Sequence, residues 1–373
     1  MQYRKYGKTG QMVSALSLGM MRLPTGSSEG NSKDIDQAAT NEMVRLALEK
    51  GVNYFDTAYP YHGGQSEVSL GIALRESGFP RPFIASKSPV WLIEKEEDFD
   101  RLLDEQLKRL GVDYIDFYLL HALDAERWED KVKKFDLCKK MEKAREEGKI
   151  RYLGFSFHDK LDAFKTIVDG YEGWDFCQIQ LNYIDTNYQA GIEGLKYAAQ
   201  KGLGLAIMEP LLGGRLANPP KDILSALGGK DPVQAALDFL WDMPEVGVVL
   251  SGMSNLQQLE QNISYAEASS VGKLSEEEKA AMAKAKEIYD SKALVPCTRC
   301  AYCMPCPAGL NIPSLINKYN NTALYDFEEV KKDYMNSEVK ADACIGCHAC
   351  EAECPQHLKP SELMPKIHAL FTK

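Results

Sequence analysis

Between residues 15 and 270, short apolar runs alternate with longer stretches whose apolar residues recur every three or four positions. The runs ALSLGMMRL (15–23), NYFDTA (53–58), PFIASKS (82–88), YIDFYLLHA (114–122), IRYLGFSFH (150–158), FCQIQLNY (176–183), LGLAIMEPL (203–211) and GVVLSGM (247–253) predict eight strands. The stretches between them, such as DQAATNEMVRLALEKG, FDRLLDEQLKRLG and WEDKVKKFDLCKKMEKAREEGK, predict amphipathic helices, several of them closed by glycine. Each predicted strand is a continuous apolar run, as parallel strands covered by helices on both faces are. Eight strand–helix units in roughly 250 residues predict an α/β fold, a (β/α)8 TIM barrel. The competing fold is an open doubly wound sheet. It carries a G-x-G-x-x-G turn after its first strand, and none follows here.

After Ser270 the pattern changes. KLSEEEKAAMAKAKEIYDSK opens with a capping box, Ser275 with Glu278, and predicts one last helix. Residues 310–340 hold apolar residues at helical spacing (IPSLINKY, FEEVKKDY) and predict one or two short helices. GSSEGNSKD (26–34) predicts a mobile loop. The expected division is a barrel over 1–285 and a small, mostly α-helical domain over 286–373.

Charge narrows the function. A net charge of −10 argues against a broad electrostatic grip on nucleic acid or an anionic membrane. The start, MQYRKYGKTG, has no apolar leader, and no stretch approaches the length of a bilayer span. The expected location is therefore the cytoplasm.

Eight of the ten cysteines fall in two tight groups after Val295. In a reducing compartment such grouping reads as metal ligation rather than a disulfide framework. Cys138 lies in a helical pattern and Cys177 in an apolar run, so both read as ordinary buried residues. CIGCHACEAEC (344–354) followed by Pro355 is C-x2-C-x2-C-x3-C-P, the bacterial ferredoxin run for a [4Fe–4S] cluster. Cys297, Cys300, Cys303 and Cys306-Pro307 repeat it with a last gap of two. Eight thiolates suffice for two cubanes. In the two-cluster arrangement the fourth cysteine of each run serves the other cluster. Cys297, Cys300, Cys303 and Cys354 would then hold one, and Cys344, Cys347, Cys350 and Cys306 the other. Structural zinc is the alternative, but a tetrahedral site needs no third cysteine at the same step before Cys-Pro.

In a barrel, chemistry belongs at the C-terminal strand ends. Asp56, Lys87, His121, Ser156, Gln180, Asn182 and Ser251 fall there. FDTAYPYHGGQSEVSLGIAL (55–74) resembles the aldo-keto reductase family: Asp56, then Tyr61 five residues on, Gly64, Ser66-Glu67 and Leu70-Gly71. SK (86–87), LLHA (119–122), GFSFH (154–158), QIQLNY (178–183) and SGMSNLQQLEQN (251–262) continue the resemblance, which covers roughly residues 1–285. PCTRCAYCMPCPAGLNIP and CPQHL resemble a branch of that family with a C-terminal ferredoxin-like domain.

The resemblance implies interconversion of a small-molecule carbonyl and alcohol by hydride transfer with NADP(H) or NAD(H). Tyr61 would be the general acid, Lys87 its tuner, Asp56 the lysine's partner and His121 the residue that orients the substrate carbonyl. A neighbouring ammonium lowers a tyrosine's pKa, which is why the set contains a lysine. Tyr59 lines the pocket, with Met20, Met21 and Trp91. Ser156 and Gln180 would hold the nicotinamide carboxamide, with Asn182 or Tyr183 near its ring. Met20, Pro210, Leu211, Gly213, Gly214, Ser251, Gly252, Met253, Gln258 and Asn262 complete the implied nucleotide site. Gln258 stands where an arginine for the 2′-phosphate is expected, and a lysine expected near Gly252 is absent. Arg215 is the substitute cation, and NAD(H) stays open. The clusters would exchange electrons with a partner protein or a flavin. The alternatives are a plain carbonyl reductase with structural clusters, or a non-enzymatic electron-transfer or redox-sensing subunit using the barrel as scaffold.

Overall fold

The computed structural model describes residues 1–26, 33–297, 303–354 and 357–373. They form two compact units: Met1–Gly213 with Val233–Leu274, and Gly214–Pro232 with Ser275–Lys373.

The first unit begins with a hairpin, β1 (Tyr3–Lys5) and β2 (Met12–Ser14). Eight parallel strands then close a barrel in chain order: β3 (Leu16–Gly19), β4 (Tyr54–Asp56), β5 (Phe83–Ser88), β6 (Ile115–Leu123), β7 (Ile150–Phe157), β8 (Phe176–Gln180), β9 (Gly204–Met208) and β10 (Val248–Gly252). Its principal helices are α1 (Gln37–Glu49), α2 (Ser66–Glu76), α3 (Glu97–Leu110), α4 (Leu137–Glu146), α5 (Leu161–Asp169), α6 (Gly191–Gln200), α7 (Pro232–Trp241) and α8 (Leu256–Glu267). Seven of the barrel strands lie within a predicted run, and β6 passes its run by one residue, Leu123. Most strands stop short of the end of their run; β5 ends with its run at Ser88.

The barrel interior holds Tyr6, Tyr54, Phe117, Leu119, Phe176, Ala206 and Val248 among others. Tyr6 follows β1 and plugs the N-terminal end, packing edge-on against Tyr54 and Phe117. A Cβ at Gly204 or Gly247 would come within 3.0 Å of the Tyr6 ring, so both positions need glycine for this close approach. The hairpin itself was not expected from the pattern.

One expected helix is broken. Residues 128–149 do not form a single element: a π-helix (Trp128–Lys133) precedes α4, and Asp136 between them has φ +52°. Asp is among the few residues that visit this left-handed region readily. Thr25 and Ile35, beside the expected loop 26–34, form an isolated antiparallel bridge, and residues 27–32 lie outside the described residues.

The second unit contains α9 (Glu276–Ser291), α10 (Ile312–Asn321), α11 (Phe327–Met335) and α12 (Pro360–Thr372). The capping box of Ser275 and Glu278 opens α9 as expected. Its own core gathers Leu310, Leu315, Ile316, Val330, Tyr334, Ile367 and Phe371, with Phe371 stacked on Tyr334 at 4.5 Å. The Asn320 side chain exchanges two 2.8 Å hydrogen bonds with the backbone of Val295 and so fixes the entry to the first cysteine run. Among the described residues, no helix is long and apolar enough to cross a membrane.

Candidate functional site

Asp56 ends β4, Lys87 lies near the end of β5 and His121 near the end of β6, so the closed barrel brings them to one mouth. Lys87 is fully buried. Its Nζ donates to Asp56 Oδ1 at 2.7 Å, to the Thr57 carbonyl at 2.8 Å and to the Tyr61 hydroxyl at 3.3 Å. An ammonium has three donors, and all three are used. Burial works against the charge, but Asp56 and Tyr61 outweigh it and hold Lys87 above its ordinary value. Burial in turn pushes the Asp56 carboxyl up, against the pull of Lys87.

Tyr61 was expected to be lowered by Lys87. The lysine does pull in that direction, but burial is the larger effect and the phenol sits above its ordinary value. A phenol that keeps its proton is suited to donate it. His62, next in sequence, was not foreseen. It is fully buried, and its Nε2 accepts the Leu23 N–H at 3.2 Å, which ties the tyrosine loop to the segment after β3.

His121 is 9% exposed, with its ring 6.2 Å from that of Tyr61 and 5.2 Å from that of Trp91. Burial, then the charge of Lys87, holds it well below its ordinary value, so the imidazole is neutral. A bulge presents it: the register of β6 shifts between Leu120 and Leu123, and Ala122 has φ +56°. Ser156 Oγ accepts the Ala122 N–H at 2.7 Å, and the Arg127 guanidinium donates to the Ala122 carbonyl. Ser156 thus props the bulge under His121, a part the strand-end reading did not assign to it.

Behind Lys87 lies a second buried network. Glu67 Oε1 accepts from Ser86 Oγ and Gln106 Nε2, both at 2.6 Å, and Gln106 also donates to the Lys87 carbonyl at 3.1 Å. Arg109 reaches Glu67 Oε2 at 3.3 Å and the Tyr59 carbonyl at 3.2 Å, with its guanidinium 4.0 Å from the Tyr59 ring centroid. Tyr59 is therefore clamped beside the mouth. Gln106 and Arg109 sit on α3, and nothing in their helical spacing distinguishes them from surface positions.

The expected nucleotide residues fall into two groups. Gln180 Nε2 donates to Asp185 at 3.0 Å, which leaves its carbonyl oxygen uncommitted; Ser156 keeps its own hydroxyl proton. Ser251, Leu211, Gly213, Gly214 and Gly252 lie at strand ends or in the loops that follow, and Gln258 lies in the first turn of α8. Met20 follows β3 and Met253 follows β10, and both side chains are buried in the core of the barrel unit. Pro210 and Asn262 are also buried; Asn262 acts through Ser251, donating to its Oγ at 2.9 Å. Asn182 lies past the end of β8, and its amide closes the loop onto Ile184, Asp185 and the Glu209 carbonyl. Tyr183 is buried and pushed up to about 12 by desolvation. Gln258 Oε1 accepts the Ser254 N–H at 2.8 Å. Arg215 belongs to the second unit, where it pairs with Asp333 at 3.4 Å and lies over the Tyr325 ring.

In the second unit, Cys303, Cys306, Cys344, Cys347 and Cys350 line one pocket, walled by Leu310, Ile312, Ile345, Pro360 and Met364. Thiols gathered in an apolar wall have the donor chemistry a cubane needs, since its four irons each take one thiolate. Cys297 and Cys354 are half-buried, and Cys300 lies outside the described residues. Cys138 and Cys177 belong to the barrel unit; burial pushes the Cys138 thiol up to about 12 and Cys177 higher still.

Comparison with known proteins finds two families along the chain. Residues 15–287 match the profile of the Aldo/keto reductase family, and residues 296–358 that of a 4Fe-4S dicluster domain. L-galactose dehydrogenase from Arabidopsis thaliana is 31% identical over 290 residues, covering 70% of this chain and 87% of that protein. An aldo-keto reductase from Bacillus halodurans in its holo form shares the fold with a TM-score of 0.62 at 23% identity, covering 76% of this chain and 96% of its own. An aldo-keto reductase from Klebsiella pneumoniae in complex with NADPH does so at 0.59 and 23% identity, covering 76% of this chain and 94% of its own.

Proposed function

We propose, for a chain that belongs to the aldo/keto reductase family and carries a 4Fe-4S dicluster domain, hydride transfer between a nicotinamide nucleotide and a small-molecule carbonyl, with two [4Fe–4S] clusters exchanging electrons with a partner. The chain is an oxidoreductase. The observation that carries the reading is Lys87, buried, charged and saturated by Asp56, Thr57 and Tyr61.

When bound, the nicotinamide supplies the hydride. The chain's residues supply the rest. Tyr61 donates its proton to the carbonyl oxygen as that oxygen gains charge. Lys87 stabilises the phenolate left behind, and Asp56 keeps the ammonium in place. Neutral His121 offers the same oxygen a hydrogen bond. The free proton of Ser156 and the free carbonyl oxygen of Gln180 match the acceptor and donors of a carboxamide. NADP(H) is the proposed nucleotide, with NAD(H) the alternative; the Klebsiella protein of the same fold is in complex with NADPH.

In the second unit Cys306, Cys344, Cys347 and Cys350 would hold one cluster; all four line one pocket, which Cys303 also reaches. Cys297, Cys300, Cys303 and Cys354 would hold the other. Such clusters supply one-electron transfer, which a redox partner protein or a flavin would share. The reductase domain is proposed to end near residue 285, supported by a family match that runs to 287. The cytoplasm, a reducing compartment, is the proposed location. A second reading, purely structural clusters, is favoured by the packing of Cys297, Cys303, Cys306, Cys344 and Cys350 against the small core of this unit.

The pH profile tests the assignment of the acid. Reduction needs Tyr61 protonated, so activity is lost as pH rises through its pKa, which burial has raised. His121 is held far below its ordinary value and adds no acid limb near neutrality. kcat/KM for NADPH-dependent reduction of p-nitrobenzaldehyde is expected to be level from about pH 6 to 9 and to fall only above about pH 10. A rate that climbs with pH across that range would show that a deprotonated group is required and would remove Tyr61 from the role.

A further inference from the structure

A phosphate needs a cation, and the two positions where the sequence was expected to supply one hold Gln258 and Gly252. The substitute, Arg215, is engaged with Asp333. The structure offers another. β3 runs parallel to β10 with Gly19 opposite Gly252, and the chain after Gly19 turns through a short 3₁₀ segment, Met20–Arg22. That turn carries Arg22 across the end of β10. A Cβ built on Gly252 would lie 2.9 Å from Arg22 Cγ and 3.2 Å from Arg22 Cβ, so the arginine stem rests on the bare glycine backbone. The missing side chain at Gly252 is what makes room for it. The Arg22 carbonyl accepts the Ser254 hydroxyl at 2.8 Å, which fixes the turn to the loop leading into α8.

Three further features mark Arg22 as a binding group rather than a structural one. It is exposed, and among the described residues its guanidinium makes no ion pair or hydrogen bond. By contrast, Arg109, Arg127 and Arg215 each pair with a carboxylate. Exposed Gly252, Ser254 and Gln258 surround its base without adding a negative charge. The Ser254 N–H is spent on Gln258 Oε1, and neither side chain carries a charge.

Resting on the nucleotide reading above, we propose that Arg22 is the specificity residue that selects the 2′-phosphorylated nucleotide. It reaches from the first strand of the barrel over Gly252 to the 2′-phosphate. A planar guanidinium offers paired donors to a phosphate, which a lysine does not.

Calorimetric titration of the full-length, cluster-loaded protein tests this without turnover. The probes are NADPH, NADH, adenosine 2′,5′-bisphosphate and AMP. Arg22→Gln is expected to weaken NADPH and the bisphosphate by roughly 10- to 100-fold and to leave NADH and AMP unchanged. Arg22→Lys should fall between the two proteins. Arg22 is exposed, so both variants should keep the wild-type melting temperature, measured in parallel. Equal weakening of NADPH and NADH would assign Arg22 to a phosphate common to both and overturn the proposal, as would no change in either. A wild-type protein that binds neither dinucleotide would instead overturn the nucleotide reading itself.

Discussion

Tyr61→Phe is expected to lower kcat for carbonyl reduction by about 100- to 10,000-fold, the range over which a positioned general acid contributes. The substitution removes one oxygen and keeps the ring, so the packing beside His121 and Lys87 survives. What is lost is the proton at the site where charge develops, and with it the acceptor for the third Lys87 hydrogen bond. Lys87 keeps Asp56 and Thr57, so it stays charged and in place. Nucleotide affinity should therefore hold, and the defect should appear in kcat rather than in binding. Single-turnover reduction of p-nitrobenzaldehyde, with nucleotide affinity titrated separately, separates the two. A loss smaller than about tenfold, with folding and nucleotide binding intact, would show that another group supplies the proton.

The second large effect belongs to the other unit. Cys350→Ala is expected to take the iron content of anaerobically purified protein from about eight per chain to about four. Cys350 lines the pocket with Cys306, Cys344 and Cys347, and it packs against the small core formed by α10, α11 and α12. That core is modest. Loss of a cluster should therefore also lower the melting transition of this unit while the barrel transition stays where it was. Iron and sulfide analysis with calorimetry gives both numbers. An unchanged iron count would exclude Cys350 as a ligand, and loss of all eight irons would mean that the two cysteine runs do not load independently.

The barrel was legible because strands buried on both faces are written as unbroken apolar runs, and seven of the eight observed strands lie inside one, β6 passing its run by Leu123 alone. The hairpin of β1 and β2 was not, since strands of three residues carry too little alternation to register. The break at Asp136 was hidden for a different reason. A single left-handed residue interrupts a helix without disturbing its apolar spacing. In the site, side chains at strand ends could be read: Asp56, Lys87 and His121. Contacts made by backbone could not. The Thr57 carbonyl on Lys87, the Ala122 bulge on Ser156 and the passage of Arg22 over Gly252 depend on strand register, which only the closed barrel fixes.

The most direct test of a hydride-transferring barrel joined to electron-carrying clusters is anaerobic titration with NADPH, then NADH, of protein whose iron and sulfide have been counted. Cluster absorption and the EPR signal of reduced clusters are followed together. A hydride carries two electrons and each cluster takes one, so the expected result is bleaching and a growing signal that reach completion near one nucleotide per pair of clusters. Clusters that stay oxidised while nucleotide binds would contradict electron exchange between nucleotide and clusters and leave the iron as a brace for the second unit or served only by an outside donor.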